Sequence, residues 1–249
     1  MSGHSKWHSI KHKKAAADAK RGKIFTSLIK EITMAARTGG GDPDGNPRLR
    51  TAILAAKAVN MPAENIKRAI QKGTGELPGQ SYEDATYEGY GPGGVAMLVE
   101  VVTDNKNRTV SEIRHVFAKH GGNMGESGCV GWMFHKKGYV AVEKSKSDED
   151  TLLNIVLDAG AEDMKESEGT FEIYTAPESY EAVVEALKKN HIEIASSEIS
   201  MVPQSYTKLE GKLAQQMIKL MEALDDHEDV QKVHANFEIS EAELEAAAS

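Results

Sequence analysis

From Val95 onward the chain alternates short apolar runs with helix-length amphipathic segments, and no other feature restricts the fold as much. Val95 to Val102 (VAMLVEVV) has the length and β-rich composition of a buried strand. Thr109 to His120 places Val110, Ile113, Val116 and Phe117 on one helical face and stops at Gly121-Gly122. Cys129 to Phe134 reads as a further strand. Tyr139 to Val142 is then a strand, Asp148 to Ala159 a helix stopped by Gly160, and Phe171 to Thr175 a strand. Glu178 to Asn190 is a helix, Ile194 to Val202 a strand, Leu209 to Leu224 a helix and Val230 to Ile239 a strand. Strand–helix–strand units of about 30 residues, repeated with an extra strand between, predict split βαβ sandwiches of ferredoxin-like type. Tyr139 to Val202 supplies one nearly whole. The second has one half before it and one half after, so the first is expected to be inserted in the second.

The segment before Val95 has a different character. Phe25, Leu28, Ile29, Ile32 and Ala36 recur at three- and four-residue steps, the period of a helix. At about 100° per residue they share one face, and Lys20, Lys23, Lys30 and Arg37 fall opposite, towards water. Gly39-Gly40-Gly41 and Asp42-Pro43-Asp44-Gly45 end this helix. Asn46-Pro47 starts a second, with Asn46 as N-cap and Pro47 at its first position; it carries Arg48, Arg50 and Lys57. A third is expected from Pro62 to Lys72, ended by Gly73, with Lys67, Arg68 and Lys72. A linker from Gly75 to Ser81 follows, and Gly89-Tyr90-Gly91-Pro92-Gly93-Gly94 reads as a turn.

Charge separates these parts. Residues 1–75 hold 15 Lys/Arg against 5 Asp/Glu, a net of +10; residues 76–249 hold 15 against 33, a net of −18. Such asymmetry points to a polyanion partner for the basic part and keeps the acidic part off it. The first 23 residues alone hold six Lys, one Arg, three His, Trp7 and a single acid, Asp18. They lack the apolar stretch of a secretory signal. No run of about 18 apolar residues marks a membrane span. Cys129 is the one cysteine, which rules out an intrachain disulfide and fits a reducing, cytoplasmic setting.

Catalytic and metal chemistry find little support. His4, His8 and His12 stand four apart but lack a fourth ligand, and read as polar residues of a basic arm. Cys129 borders Val130, Trp132 and Phe134 and reads as a buried thiol rather than a nucleophile. Gly125 to Cys129 is not a nucleophile elbow, and no phosphate-loop motif is present. Thr103 to Thr109 (TDNKNRT) is either a ligand loop or a strand–helix connection capped by Asn107 or Thr109. Trp7 among cations either stacks on unpaired bases or anchors the arm onto the helices.

Six stretches are distinctive together: GHSKW from Gly3, NPRLR from Asn46, MPAENI from Met61, YEGYGPGG from Tyr87, TDNKNRT from Thr103 and ANFEI from Ala235. In this order they resemble the YebC family across essentially the whole chain. The resemblance implies a helical N-terminal domain and two α/β domains, one inserted in the other. It further implies a probable transcriptional regulator that binds DNA, related to mitochondrial translational activators of cytochrome oxidase subunit I. Some bacterial members of the family are thought to act with the ribosome. The family offers no agreed catalytic residues.

The expectation is therefore an α+β protein: an N-terminal three-helix bundle plus two ferredoxin-like α/β domains, one inserted in the other. The boundaries are 1–78, 79–134 with 204–240, an inserted 135–203, and an acidic tail at 241–249. Function is expected to be non-enzymatic, without cofactor, metal, membrane or small-molecule substrate. The expected partner is DNA, or alternatively ribosomal or messenger RNA, with the acidic domains open to a protein partner. The expected contacts are Lys6, Trp7, Lys11, His12, Lys13, Lys14, Lys20, Arg21, Lys23, Lys30, Arg48 and Arg50. Phosphate affinity comes from the lysines, and bidentate contacts from Arg48 and Arg50.

Overall fold

The computed structural model describes residues 18–167 and 169–240, with side chains from residue 22 onward. It opens with helix α1 (Asp18–Gly39), followed by α2 (Pro47–Ala58) and α3 (Ala63–Thr74). Asn46 links the first two. Its Oδ1 accepts from Leu49 N–H at 3.1 Å, capping α2, while Nδ2 donates to the carbonyls of Ala35 and Gly40, both at 2.8 Å. One side chain thus satisfies groups at the end of α1 and the start of α2. The helices share a core of Ile32, Ala35, Ala36, Leu49, Ala52, Ala56, Met61, Ile66 and Ala69. The many alanines bring the backbones close. A Cβ at Gly73 would lie 2.4 Å from the Thr33 carbonyl oxygen, so only glycine fits there. Gly73 therefore lies within α3 rather than ending it; the left-handed residue beyond the helix is Gly75, at φ 84°.

A four-stranded sheet follows, built from β1 (Glu83–Gly91), β2 (Val95–Thr103), β3 (Asn123–Met124) and the late strand β9 (Val230–Ala235) in the order β3-β1-β2-β9. β1 and β2 form an antiparallel hairpin from Glu83↔Thr103 to Gly91↔Val95. The turn is thus only Pro92–Gly94, shorter than the glycine-rich loop expected from sequence. Helix α4 (Lys106–Lys119) lies between β2 and β3 in sequence, and α7 (Gly211–Asp225) precedes β9. Ile113 and Phe117 of α4, and Met217, Leu220 and Met221 of α7, are fully buried.

The expected strand from Cys129 to Phe134 does not form. Gly131–Met133 is a short 3₁₀ turn, and the strand begins at Phe134. Strand β4 (Phe134–Glu143) opens a second four-stranded sheet, with α5 (Glu149–Asp158), β5 (Ala161–Ser167), β6 (Thr170–Thr175), α6 (Tyr180–Lys189) and β7 (Ser196–Pro203). The sheet order is β5-β6-β4-β7, with every pair antiparallel. This is the split βαβ arrangement, with the first and third strands of the unit at its centre. Val140, Val142, Leu152, Val156, Phe171, Ile173, Val183 and Leu187 form its core. A short parallel pair, β8 (Thr207–Lys208) and β10 (Phe237–Glu238), joins the segment after β7 to the segment after β9.

Among the described residues, contacts gather 130–210 with 234–240 into one compact unit, and 18–129 with 211–233 into the other. The helices α1 to α3 thus belong to the same unit as most of the first sheet. No helix among the described residues is long and apolar enough to cross a membrane.

Candidate functional site

Helix α1 has a second engaged face. Lys23, Ser27 and Lys30 recur at helical spacing on the side away from the apolar core. Lys23 Nζ donates to the Asp225 carbonyl and lies 3.8 Å from the Asp226 carboxylate. Ser27 Oγ donates to Gln231 Oε1 at 2.7 Å. Lys30 Nζ donates to the Glu228 carbonyl at 3.0 Å and to Asp229 Oδ1 at 2.6 Å. Arg37 at the helix end donates to Ser81 Oγ and the Tyr82 carbonyl, at 2.6 and 3.0 Å. The expectation of a basic face turned wholly to water is therefore corrected. Lys30 is only 8% exposed, because the loop after α7 presents carbonyls and carboxylates to it.

The two arginines proposed for bidentate phosphate contact are likewise engaged within the chain. Arg48 grips Glu31 Oε1 and Oε2 at 2.7 and 2.9 Å and Asp84 Oδ2 and Oδ1 at 2.9 and 3.0 Å. The hydrogen bonds to Glu31 and then to Asp84 raise its already high pKa further. Arg50 donates to the carbonyls of Pro43 and Asp44, at 3.0 and 3.2 Å, and so holds the turn before α2. Lys6, Trp7, Lys11, His12, Lys13 and Lys14 lie outside the described residues, as do the side chains of Lys20 and Arg21.

Asp229, 2% exposed, is the hub of this joint. Besides Lys30, its carboxylate accepts from Thr109 Oγ1 at 2.6 Å, Arg108 Nη2 at 2.9 Å and Thr103 Oγ1 at 3.1 Å. Burial alone would raise its pKa. The hydrogen bonds from Lys30, Thr109 and Arg108 outweigh burial and hold the carboxyl well below the usual range. The polar stretch Thr103 to Thr109 is thus a strand–helix connection tied to Asp229. Its cap is Asn105, whose Oδ1 accepts from Arg108 N–H at 3.1 Å, and not Asn107 or Thr109.

A pocket of about 910 Å³ opens beside the hub, lined among others by Lys30, Tyr82, Arg108, Glu112, His115 and His227. Glu112, His227 and Asp229 offer ligand atoms within 4.8 Å of one another. Their hydrogen bonding argues against a metal centre. His227 Nδ1 accepts from Asp229 N–H at 3.2 Å, which leaves the proton on Nε2, donated to Glu112 Oε2 at 3.0 Å. Asp229 already carries two cationic donors. A metal ion would have to displace them and deprotonate the ring nitrogen that faces Glu112.

Cys129 is half-buried in the turn before β4 rather than in a strand. Burial pushes its thiol pKa up, and the nearby Glu88 carboxylate adds to this. A raised pKa is the wrong direction for a nucleophile. Sequence reasoning missed Asp229 altogether; its signal was a buried position just inside an acidic run (Asp225-Asp226-His227-Glu228-Asp229) opposite a lysine-bearing helix. It also passed over Lys57, Lys67, Arg68 and Lys72 as contacts; all four are exposed.

Similarity to known proteins covers the whole arrangement. Residues 5–76 match the TACO1/YebC protein N-terminal domain, and residues 82–237 match the TACO1/YebC second and third domain. A probable transcriptional regulatory protein of Desulfosudis oleivorans is 65% identical over 99% of this chain and 100% of its own. One from Acidobacterium capsulatum is 61% identical over 98% of both. The crystal structure of a conserved hypothetical protein from Aquifex aeolicus shares 52% identity at a TM-score of 0.79, covering 93% of this chain and 96% of that one.

Proposed function

Because this chain belongs to the TACO1/YebC family, we propose that it is a non-enzymatic regulator of gene expression that binds nucleic acid, acting on DNA in transcriptional control in the cytoplasm. The observation that carries the reading is the charge division, +10 over residues 1–75 against −18 over the rest. A polyanion meets the basic end and is repelled by the acidic remainder. The names of the close relatives point the same way. We propose no catalytic step, because both ring nitrogens of His227 are engaged, by Asp229 N–H and by Glu112, and burial pushes the Cys129 thiol up, away from the thiolate.

One observation favours RNA and translation as a second reading. Trp7 sits among Lys6, His8, Lys11 and His12, and an aromatic among cations suits unpaired bases that stack while phosphates are neutralised. Under both readings the basic arm, from Lys6 to Arg21, supplies phosphate contacts.

The test is binding of the full chain to duplex DNA and to a hairpin-loop RNA across a salt series. Neutralising roughly 5 to 8 phosphates gives a slope of log affinity on log salt of about −0.9 per contact on duplex, or about −0.7 on single strands. A slope near zero on both ligands rejects the electrostatic mechanism.

A further inference from the structure

The described cations of the helical segment fall into two sets. Lys23, Lys30, Arg37, Arg48 and Arg50 all donate to carbonyls or carboxylates of the chain itself. Lys57, in the last turn of α2, and Lys67, Arg68 and Lys72 of α3 are exposed. Within the second set, Arg68 Nε approaches Glu64 Oε1 at 3.3 Å, with both side chains 65% exposed. An exposed pair of this kind holds its members weakly. Along α3 the inner side is Ile66, Ala69, Ile70 and Gly73, so Lys67, Arg68 and Lys72 occupy the outer side. Lys67 and Lys72 stand five residues apart, about 7.5 Å along the helix axis and about 140° around it, so they flank Arg68 on the outer side.

Counterion release rewards only cations that are not already neutralised. Lys30 would have to abandon a buried carboxylate to meet a phosphate, whereas among the described residues no ion pair holds Lys57, Lys67 or Lys72. We propose that the outer face of α2 and α3, with Lys57, Lys67, Arg68 and Lys72, is a phosphate-tracking surface for a nucleic-acid backbone. This rests on the nucleic-acid reading above and places part of its affinity on helices that the sequence-derived contacts omit. The shared chemistry is the phosphodiester chain; DNA and RNA are separated by the arms of the test.

The experiment uses the full chain, a 20-base-pair duplex DNA and an RNA hairpin with a single-stranded loop. Three proteins are compared: wild type, Lys67→Glu with Lys72→Glu, and a control of equal charge change, Lys188→Glu with Lys189→Glu, at the exposed end of α6. Thermal melts confirm folding, and Lys67→Ala with Lys72→Ala repeats the comparison without introducing acids. The α3 pair is expected to weaken binding roughly tenfold and to reduce the salt slope by about 1.8 on duplex. The control pair should leave the slope in place. Loss on one ligand only supports the surface and assigns it to that nucleic acid. Equal loss in both pairs, or none in the α3 pair while wild type binds, overturns the surface and leaves the proposed function standing. Wild type that binds neither ligand removes both.

Discussion

Lys30 Nζ lies 2.6 Å from Asp229 Oδ1 across 199 positions of sequence, with both side chains buried. The pair joins the first described helix to the loop that enters β9, and Arg108, Thr109 and Thr103 complete the carboxylate's shell. A lysine that belongs to a basic helix by sequence thus serves in the fold as a joint.

Lys30→Met keeps the length of the side chain and removes the charge. Asp229 would remain buried with one cationic donor instead of two. Breaking a buried pair from one side costs about 3 to 5 kcal/mol, and the remaining Arg108 and threonine bonds place this case at about 3. Urea unfolding should show the midpoint shift at unchanged slope. A loss below about 0.5 kcal/mol would mean that the pair contributes little.

Acid should loosen the same joint. The folded Asp229 carboxyl titrates below its ordinary value of 3.8, so its contribution is fully present above that value and is lost as pH falls towards the folded pKa. Stability should therefore decline below about pH 4, while staying level with respect to this group at neutral pH. Asp229→Asn should be less stable than wild type at pH 7, and its disadvantage should shrink as pH falls from 4 to 2. A constant difference across that range would separate Asp229 from the acid limb.

Asn46 makes opposite demands on its two amide atoms, so two substitutions separate them. Asn46→Asp keeps the acceptor that caps α2 but loses the donor to Ala35 and Gly40. Asn46→Ala loses both. The cap alone is worth about 1 kcal/mol, and a carbonyl left without its donor costs about 1 to 3 more. The expected order of melting temperature is wild type, then Asp, then Ala. Equal melting of Asp and wild type would show that the Nδ2 bonds add nothing.

The elements that announce themselves locally were legible. Asn46-Pro47 marks its own helix start, and β2 carries the apolar run Val95 to Val99 because nearly every position along it is buried. β1 was not legible as a strand. Its glycines sit where other parts of the chain press on it, and a Cβ at Gly89 would meet the Asn123 carbonyl oxygen at 2.6 Å. β5 was missed because it is an edge strand, exposed along most of its length, with Glu162, Asp163, Lys165 and Glu166 in place of an apolar alternation. Lys30 was misplaced because a helical wheel shows only the face towards one core. The second partner of α1 is nearly two hundred residues away and contacts it through polar atoms, which leave no hydrophobic period to read.

The arm's charge and its aromatic ring can be tested apart from the joint. Lys13→Glu with Lys14→Glu should weaken binding to every polyanion and flatten the salt slope. Lys30→Met should lower stability yet leave the slope nearly intact, because Asp229 already neutralises that lysine. Trp7→Ala changes no charge and should also leave the slope intact. If Trp7 stacks on a base, its loss costs about 1 to 3 kcal/mol on a looped RNA and much less on a duplex, whose bases are already stacked. If Trp7 instead anchors the arm to the folded part, Trp7→Ala lowers the melting temperature and weakens both ligands alike. Titrating these variants against the hairpin and a duplex of equal length separates the cases. A uniform loss for Trp7→Ala removes the stacking argument and leaves DNA as the better-supported target. A loss confined to the looped RNA makes translation the stronger reading, with the same cations serving as its phosphate contacts.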